Sequence, residues 1–381
     1  MIPQANKSFV NSRDKCNPYY NNEYLPLIVA PMSSVIDENN YDIFIKNKVQ
    51  ICLPRTIETI FWEDDIFISL SLQEFIDEFL ERVESFIGRR YVCIDTANGN
   101  MNILHEAIIA AKEKHGDNLI IMTGNVATVS AFVTLALTGV DYIRVGIGGS
   151  NNACTTTKNV GVGQVNLEDL IKQCYDAKKS TISSIESFEE SIENPNSDYY
   201  KKRPEVLKKH KEYYYNAVNL KKAKIVADGI STYIKQCQEK YEFNDNGYAA
   251  INKLLYYGAD LVMIGALFAQ CLESAAEKYI KANDKFHKIT QEEATNEYPS
   301  ADIYSMYYGM STTHAQRQYK TSEPRPSEGS IKYLPIKYRL SEWLYGSSNQ
   351  DEYPYLMGYV NSLKSAMSYT NVENVENFKY R

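Results

Sequence analysis

Residues 91–126 read YVCIDTANGNMNILHEAIIAAKEKHGDNLIIMTGNV. A short apolar run at 91–96 leads into an amphipathic stretch at 101–115, and a second apolar run follows at 119–126. In the middle segment Leu104, Ile108 and Ala111 recur at helical spacing, and Gly116 stands where a C-cap glycine is expected. The apolar runs are continuous rather than alternating, as in parallel strands buried on both faces. Six more such runs occur, at 25–32, 49–54, 67–72, 142–148, 225–229 and 261–266, with helical stretches at 73–86 and 232–257. Eight buried strands alternating with helices predict an α/β fold, a (β/α)8 TIM barrel spanning 1–381 as one catalytic domain. A doubly wound sheet would need a phosphate-binding glycine turn after its first strand, and VAPMSS (29–34) is not one.

The connection between the sixth and seventh strands is far longer than the others. Its polar stretch, 175–220, is expected to be an insertion, partly helical. Its Lys/Tyr mixture is of the kind that binds single-stranded nucleic acid, but interspersed Glu and Asp favour a solvated excursion. After the eighth strand comes a long extension, with 300–335 expected to form an active-site flap.

The composition bounds the function. The chain has 381 residues, 44% hydrophobic and 12% aromatic, enough apolar material for a large core. Its net charge of −7 argues against a diffuse basic footprint for duplex nucleic acid, so no nucleic-acid partner is expected. No window holds 18 consecutive apolar residues, so no membrane association is expected, and the opening residues lack the apolar core of a signal peptide. Seven cysteines without CxxC pairs argue against a disulfide framework and a structural zinc site, and suggest a reducing cytoplasm.

Barrel chemistry sits on the loops after the strands. The sixth strand opens into GIGGSNNACTTT (146–157). Cys52 and Cys93 lie inside apolar strands, whereas Cys154 lies on this polar loop, where a thiolate can attack an electrophilic carbon. The seventh and eighth strands end in Asp228-Gly229 and Gly265-Ala266. Small residues there let backbone N–H groups approach a phosphate, and the Asp228 carboxylate suits a ribose diol. Together they suggest a nucleoside monophosphate.

These residues carry a resemblance. APMSSVID (30–37), IDTANGN (94–100), GNVAT (124–128), VGIGGSNNACTTTKNVGVGQ (145–164), VADG (226–229), GADLVMIGALFA (258–269) and YGMS (308–311) resemble the IMP dehydrogenase/GMP reductase family, in family order. The short 54–67 connection leaves no room for a CBS module. The 310–328 flap is short and lacks an adjacent Arg-Tyr pair, and RPSEG (325–329) is similar to the reductase signature. The resemblance is therefore nearest the reductase branch. It implies NADPH-dependent reductive deamination of GMP to IMP and ammonia. NAD-dependent oxidation of IMP and a non-catalytic purine-nucleotide-binding barrel stay as alternatives.

The resemblance implies roles for individual residues. Cys154 would form a thioimidate at purine C2, and Thr156 and Glu328 would handle the proton of the departing amine. Asn152, Asp228, Gly229, Gly265, Ala266, Gly309, Met310, Ser311, Arg325, Ser327 and Gly329 would bind the nucleotide. Asp95 would meet the nicotinamide, and Ser365 and Tyr369 would meet the cofactor from a neighbouring subunit of a homotetramer. A monovalent cation such as K+ would sit on the carbonyls of Gly146, Gly148 and Cys154. Three positions depart from the family pattern: Ile230 and Ala266 stand where the family has glycine, and Asn152 where it has a phosphate-contacting serine.

Overall fold

The computed structural model describes residues 1–57, 65–82, 86, 88–149, 157–164, 166–181, 185, 201–319, 329–347 and 357–380. Eight parallel strands form one sheet: β1 (Leu27–Val29), β2 (Cys52–Leu53), β3 (Phe67–Leu70), β4 (Arg90–Asp95), β5 (Leu119–Val126), β6 (Tyr142–Val145), β7 (Lys224–Ala227) and β8 (Leu261–Ile264). Their order is β1-β8-β7-β6-β5-β4-β3-β2, and a parallel bridge between Ile28 and Gln50 brings the two ends of the series together. All eight apolar runs of the sequence are therefore barrel strands, and the (β/α)8 expectation is met.

The strands form because both of their faces are buried. Ile28, Val29, Val92, Cys93, Ile121, Met122, Ile143 and Val226 have no exposed surface, so the barrel rests on apolar area withdrawn from water. The surrounding helices are fixed by their ends. Ser71 and Glu74 make a reciprocal capping box on the helix Leu72–Ile76. Thr128 caps Val129–Ala136, and Asn166 caps Leu167–Ser180. Gly116, at φ 56°, ends Asn102–His115 as its place in the sequence suggested. The stretch 232–257 is two helices, Ile230–Tyr241 and Tyr248–Tyr256, separated at Gly247 with φ 80°.

The long sixth connection is bounded by barrel structure. The helix Leu167–Ser180 buries Leu170, Ile171 and Cys174. The helix Pro204–Lys222 buries Ala217 and Leu220 and runs into β7. The extension after β8 holds a feature absent from the sequence reading, an antiparallel sheet in the order β10-β9-β11-β12. Its strands are β9 (Lys278–Ala282), β10 (Lys285–Ile289), β11 (Ile303–Tyr307) and β12 (Lys332–Pro335). Because the flap leaves β11 and returns to β12, this sheet anchors both of its ends. Beyond it, Trp343 stacks on Tyr359 with ring centroids 5.5 Å apart, fixing the last helix, Tyr359–Tyr369, to the barrel wall. No helix among the described residues is long and apolar enough to cross a membrane.

Candidate active site at the barrel mouth

A cavity of ≈ 690 Å³ opens at the C-terminal ends of the strands. The C-terminal ends of all eight strands, or the segments just after them, reach it: Ala30 and Met32, Arg55, Ser71, Asp95, Asn125, Gly146 and Gly148, Asp228, and Gly265. The flap closes one side with Met310, Ser311, Gln316 and Tyr319.

One corner is built by glycines. A Cβ on Gly149 would lie 1.7 Å from the Gly229 carbonyl oxygen, so only glycine lets the two loops touch. The contact is sealed by the Thr232 N–H, which donates to the Gly149 carbonyl at 3.0 Å. Gly229 sits at φ 69° and starts the helix Ile230–Tyr241, so the helix N-terminus faces the cavity through Gly229, Ile230 and Ser231. Ile230 and Ala266 are 4% and 8% exposed and both line the cavity. The two departures from glycine thus narrow this corner.

Asp228 is held in place. Its Oδ1 accepts the Gly229 N–H at 2.6 Å and its Oδ2 accepts Asn125 Nδ2 at 2.7 Å. Asn125 Nδ2 also donates to the Gly146 carbonyl at 2.7 Å, so one of the carbonyls expected to ligate a cation already accepts a hydrogen bond.

Across the cavity, Asp95 sits between two guanidinium groups. Its Oδ1 accepts Arg144 Nη2 at 2.9 Å and its Oδ2 accepts Arg55 Nη2 at 3.2 Å. Burial alone would raise the Asp95 carboxyl, but the charges of Arg144 and Arg55 outweigh it and hold the group below the usual carboxylate range. Arg55 and Arg144 both line the cavity, and each keeps a buried Nε with no partner among the described residues. Arg55 also lies 5.6 Å from the centroid of the Tyr319 ring, and the Tyr319 hydroxyl donates to Glu74 Oε1.

Of the sequence-predicted residues, Asp95, Gly146, Gly148, Asp228, Gly229, Gly265, Ala266, Met310 and Ser311 come together around the cavity. Gly309 and Gly329 do not line it; the Gly309 carbonyl caps the flap helix by accepting Thr312 N–H and Oγ1. Ser365 and Tyr369 lie on the last helix, where Ser365 accepts Arg13 Nη1 at 3.4 Å and Tyr369 is 63% exposed. Cys154, Thr156, Glu328, Asn152, Arg325 and Ser327 lie outside the described residues. The six described cysteines are all buried, which leaves the polar-loop position of Cys154 distinct in the sequence.

Among the lining residues not singled out from the sequence are Arg55, Asn125, Arg144 and Tyr319. Arg144 left a signal, a lone charge inside the apolar run YIRV. The others follow from three-dimensional proximity and left none.

The fold is a barrel with a cavity at its mouth, and the chain's sequence is similar to known proteins. Residues 74–186 match the family model described as IMP dehydrogenase / GMP reductase domain. The chain is 26% identical over 266 residues to GMP reductase 2 of Mus musculus, covering 69% of this chain and 54% of that one. It is 27% identical over 297 residues to GMP reductase of Onchocerca volvulus, covering 77% and 57%. It is 26% identical over 302 residues to inosine-5'-monophosphate dehydrogenase of Chlorobaculum parvum, covering 79% and 46%. The chain spans about half the length of the curated relatives it matches. It is thus similar to named members of both the GMP reductase and the IMP dehydrogenase branches.

Proposed function

We propose that this chain catalyses the NADPH-dependent reductive deamination of GMP to IMP and ammonia. The observation that carries the reading is Asp228. It is pinned by Asn125 and the Gly229 N–H beside a glycine corner and a helix N-terminus. That arrangement fits the ribose and phosphate of a nucleoside monophosphate. The glycine loop that ends at Cys154 enters the same cavity through Gly146, Gly148 and Gly149.

In this reading the Cys154 sulfur bonds to purine C2 while the C2–N bond breaks. The departing amine takes its proton from Glu328, relayed by the Thr156 hydroxyl. Asn152, Ser311, Arg325 and Ser327 hold the base and phosphate beside Gly265, Ala266 and Met310, while Gly309 and Gly329, outside the lining, adjoin Met310 and Glu328 in the chain. The cavity side opposite Asp228 fits a nicotinamide: Asp95 orders two guanidinium groups, whose remaining N–H donors suit a carboxamide oxygen. The hydride that C2 accepts comes from NADPH. Cleavage of the C2–S bond then returns the electron pair to Cys154. A monovalent cation on the Gly146, Gly148 and Cys154 carbonyls would brace the loop. A cytoplasmic homotetramer, with Ser365 and Tyr369 reaching a neighbour's cofactor, is the working unit.

The test is nicotinamide absorbance with GMP and NADPH, then with IMP and NAD+. Loss of the NADPH signal supports the reductase; a gain only in the second mixture assigns the dehydrogenase; silence in both with GMP bound leaves a binding barrel. Cys154→Ala should lower turnover at least a thousandfold with GMP affinity kept, and an active variant removes the covalent route.

A further inference from the structure

The sequence pattern of the long sixth connection looks mixed in charge, yet its charges are segregated. Residues 186–200 hold five acidic and no basic residues, while residues 201–222 hold eight basic and two acidic ones. The basic part is the helix Pro204–Lys222, preceded by Lys201, Lys202 and Arg203. Its apolar side is occupied, with Ala217 and Leu220 buried. Its other side faces solvent with Lys208, Lys209, Lys211, Lys221 and Lys222. None of these five lysines makes an ion pair with a described residue. Tyr213 and Tyr215 stand among them, 57% and 58% exposed.

We propose that this helix face is a docking surface for single-stranded nucleic acid. At 1.5 Å per residue its 19 residues give a track of about 28 Å. Lys208, Lys211, Tyr215 and Lys222 fall on one side of it by helical spacing. A polyanion is the complementary partner for a strongly basic face in a chain of net charge −7. A membrane is disfavoured because the apolar side of the helix is already packed on the barrel. The exposed tyrosines point to bases rather than bare phosphate, because aromatic rings stack bases without regard to sequence. The surface is independent of the barrel-mouth chemistry, since none of these residues lines that cavity.

The probe is a fluorescein-labelled 20-nucleotide oligouridylate, titrated with the full chain and followed by anisotropy at 50 and 200 mM KCl. Binding at the lower salt that weakens at least tenfold at the higher is expected. Lys208→Glu/Lys211→Glu/Lys222→Glu should abolish it, and Lys208→Gln/Lys211→Gln/Lys222→Gln should weaken it and flatten the salt dependence. Tyr215→Ala should weaken oligouridylate about fivefold and leave inorganic polyphosphate binding unchanged. All variants should melt like the parent and turn over nucleotide normally. No binding at 50 mM KCl overturns the proposal. So does equal binding by the charge-reversed chain, or a Tyr215→Ala effect shared by polyphosphate.

Discussion

Two largely buried aspartates sit at opposite ends of the barrel. Asp95 lies at the mouth between Arg55 and Arg144. Asp260 lies at the base among Lys178, Lys224 and Lys379, with its Oδ2 accepting the Ile225 N–H at 2.7 Å. Burial would raise both carboxyls, and in both the neighbouring cations win and lower them. The cations differ. At the base each lysine has a further acceptor: Lys178 the Ala223 carbonyl, Lys224 the Tyr20 hydroxyl, and Lys379 the carbonyls of Leu255 and Ala259. At the mouth both arginines line a cavity and keep an Nε with no partner among the described residues. A closed network holds the barrel together; an open one retains donors for a ligand.

The sharpest way to break this contrast is to neutralise each aspartate in turn. Asp260→Asn leaves three partly buried lysines without their shared counter-charge; breaking a fully buried pair costs about 3–5 kcal/mol, and a loss of about 2–3 kcal/mol is expected here. The unfolding midpoint in urea should fall accordingly, while KM for GMP stays put. Asp95→Asn should act the other way round. The Arg55 and Arg144 groups can turn to cavity water, so stability should fall less, whereas kcat/KM should drop roughly tenfold to a hundredfold as the donors lose their orientation, about 1.4–2.7 kcal/mol. If Asp95→Asn costs as much stability as Asp260→Asn and no activity, the mouth is merely a second structural network.

A third buried charge sharpens the contrast through pH. Lys278 donates to the Ser274 carbonyl at 2.6 Å and the Ala276 carbonyl at 2.8 Å, with no ion pair to a carboxylate among the described residues. Burial pulls its ammonium down to about 8. Between that value and the ordinary one near 10.4 the unfolded chain binds more protons than the folded one, so stability from this group rises with pH across that window. Lys278→Met should flatten the rise by roughly 2 kcal/mol in urea melts at pH 7.5 and 10. Lys379, also about 8, works in the same direction, so only the difference between the two chains reports on Lys278. An unchanged slope would mean that the ammonium is solvated.

The barrel was legible because burial on both faces writes each strand as an unbroken apolar run, and the structure returns all eight. The antiparallel sheet β9–β12 was not, because Lys281, Ala282 and the first four residues of β10 are exposed, so their sequence looks like loop. The glycine corner and Asp228 could be placed because loops after parallel strands share one end. Arg55, Asn125 and Tyr319 could not, because each earns its place through a partner distant in sequence: Asp95, Asp228 and Glu74.

The smallest effect concerns how the flap is held to the mouth. Tyr319 follows the short flap helix Thr313–Gln318, and its hydroxyl donates to Glu74 on the helix after β3. Burial and the Glu74 charge push the phenol up to about 12, so it remains a donor throughout the working pH range. Tyr319→Phe removes that hydrogen bond but keeps the ring against Arg55. The Thr312 cap at the other end of the flap helix remains, so only part of the contact's free energy reaches the cavity. KM for GMP should rise about threefold to fivefold, near 1 kcal/mol, with kcat nearly unchanged. Glu74→Gln alone, which can still accept the Tyr319 hydroxyl, should raise KM far less than Tyr319→Phe does. A fall in kcat as large as that of Asp95→Asn would instead make Tyr319 part of the chemistry, and the division between an ordering flap and a reacting mouth would fail.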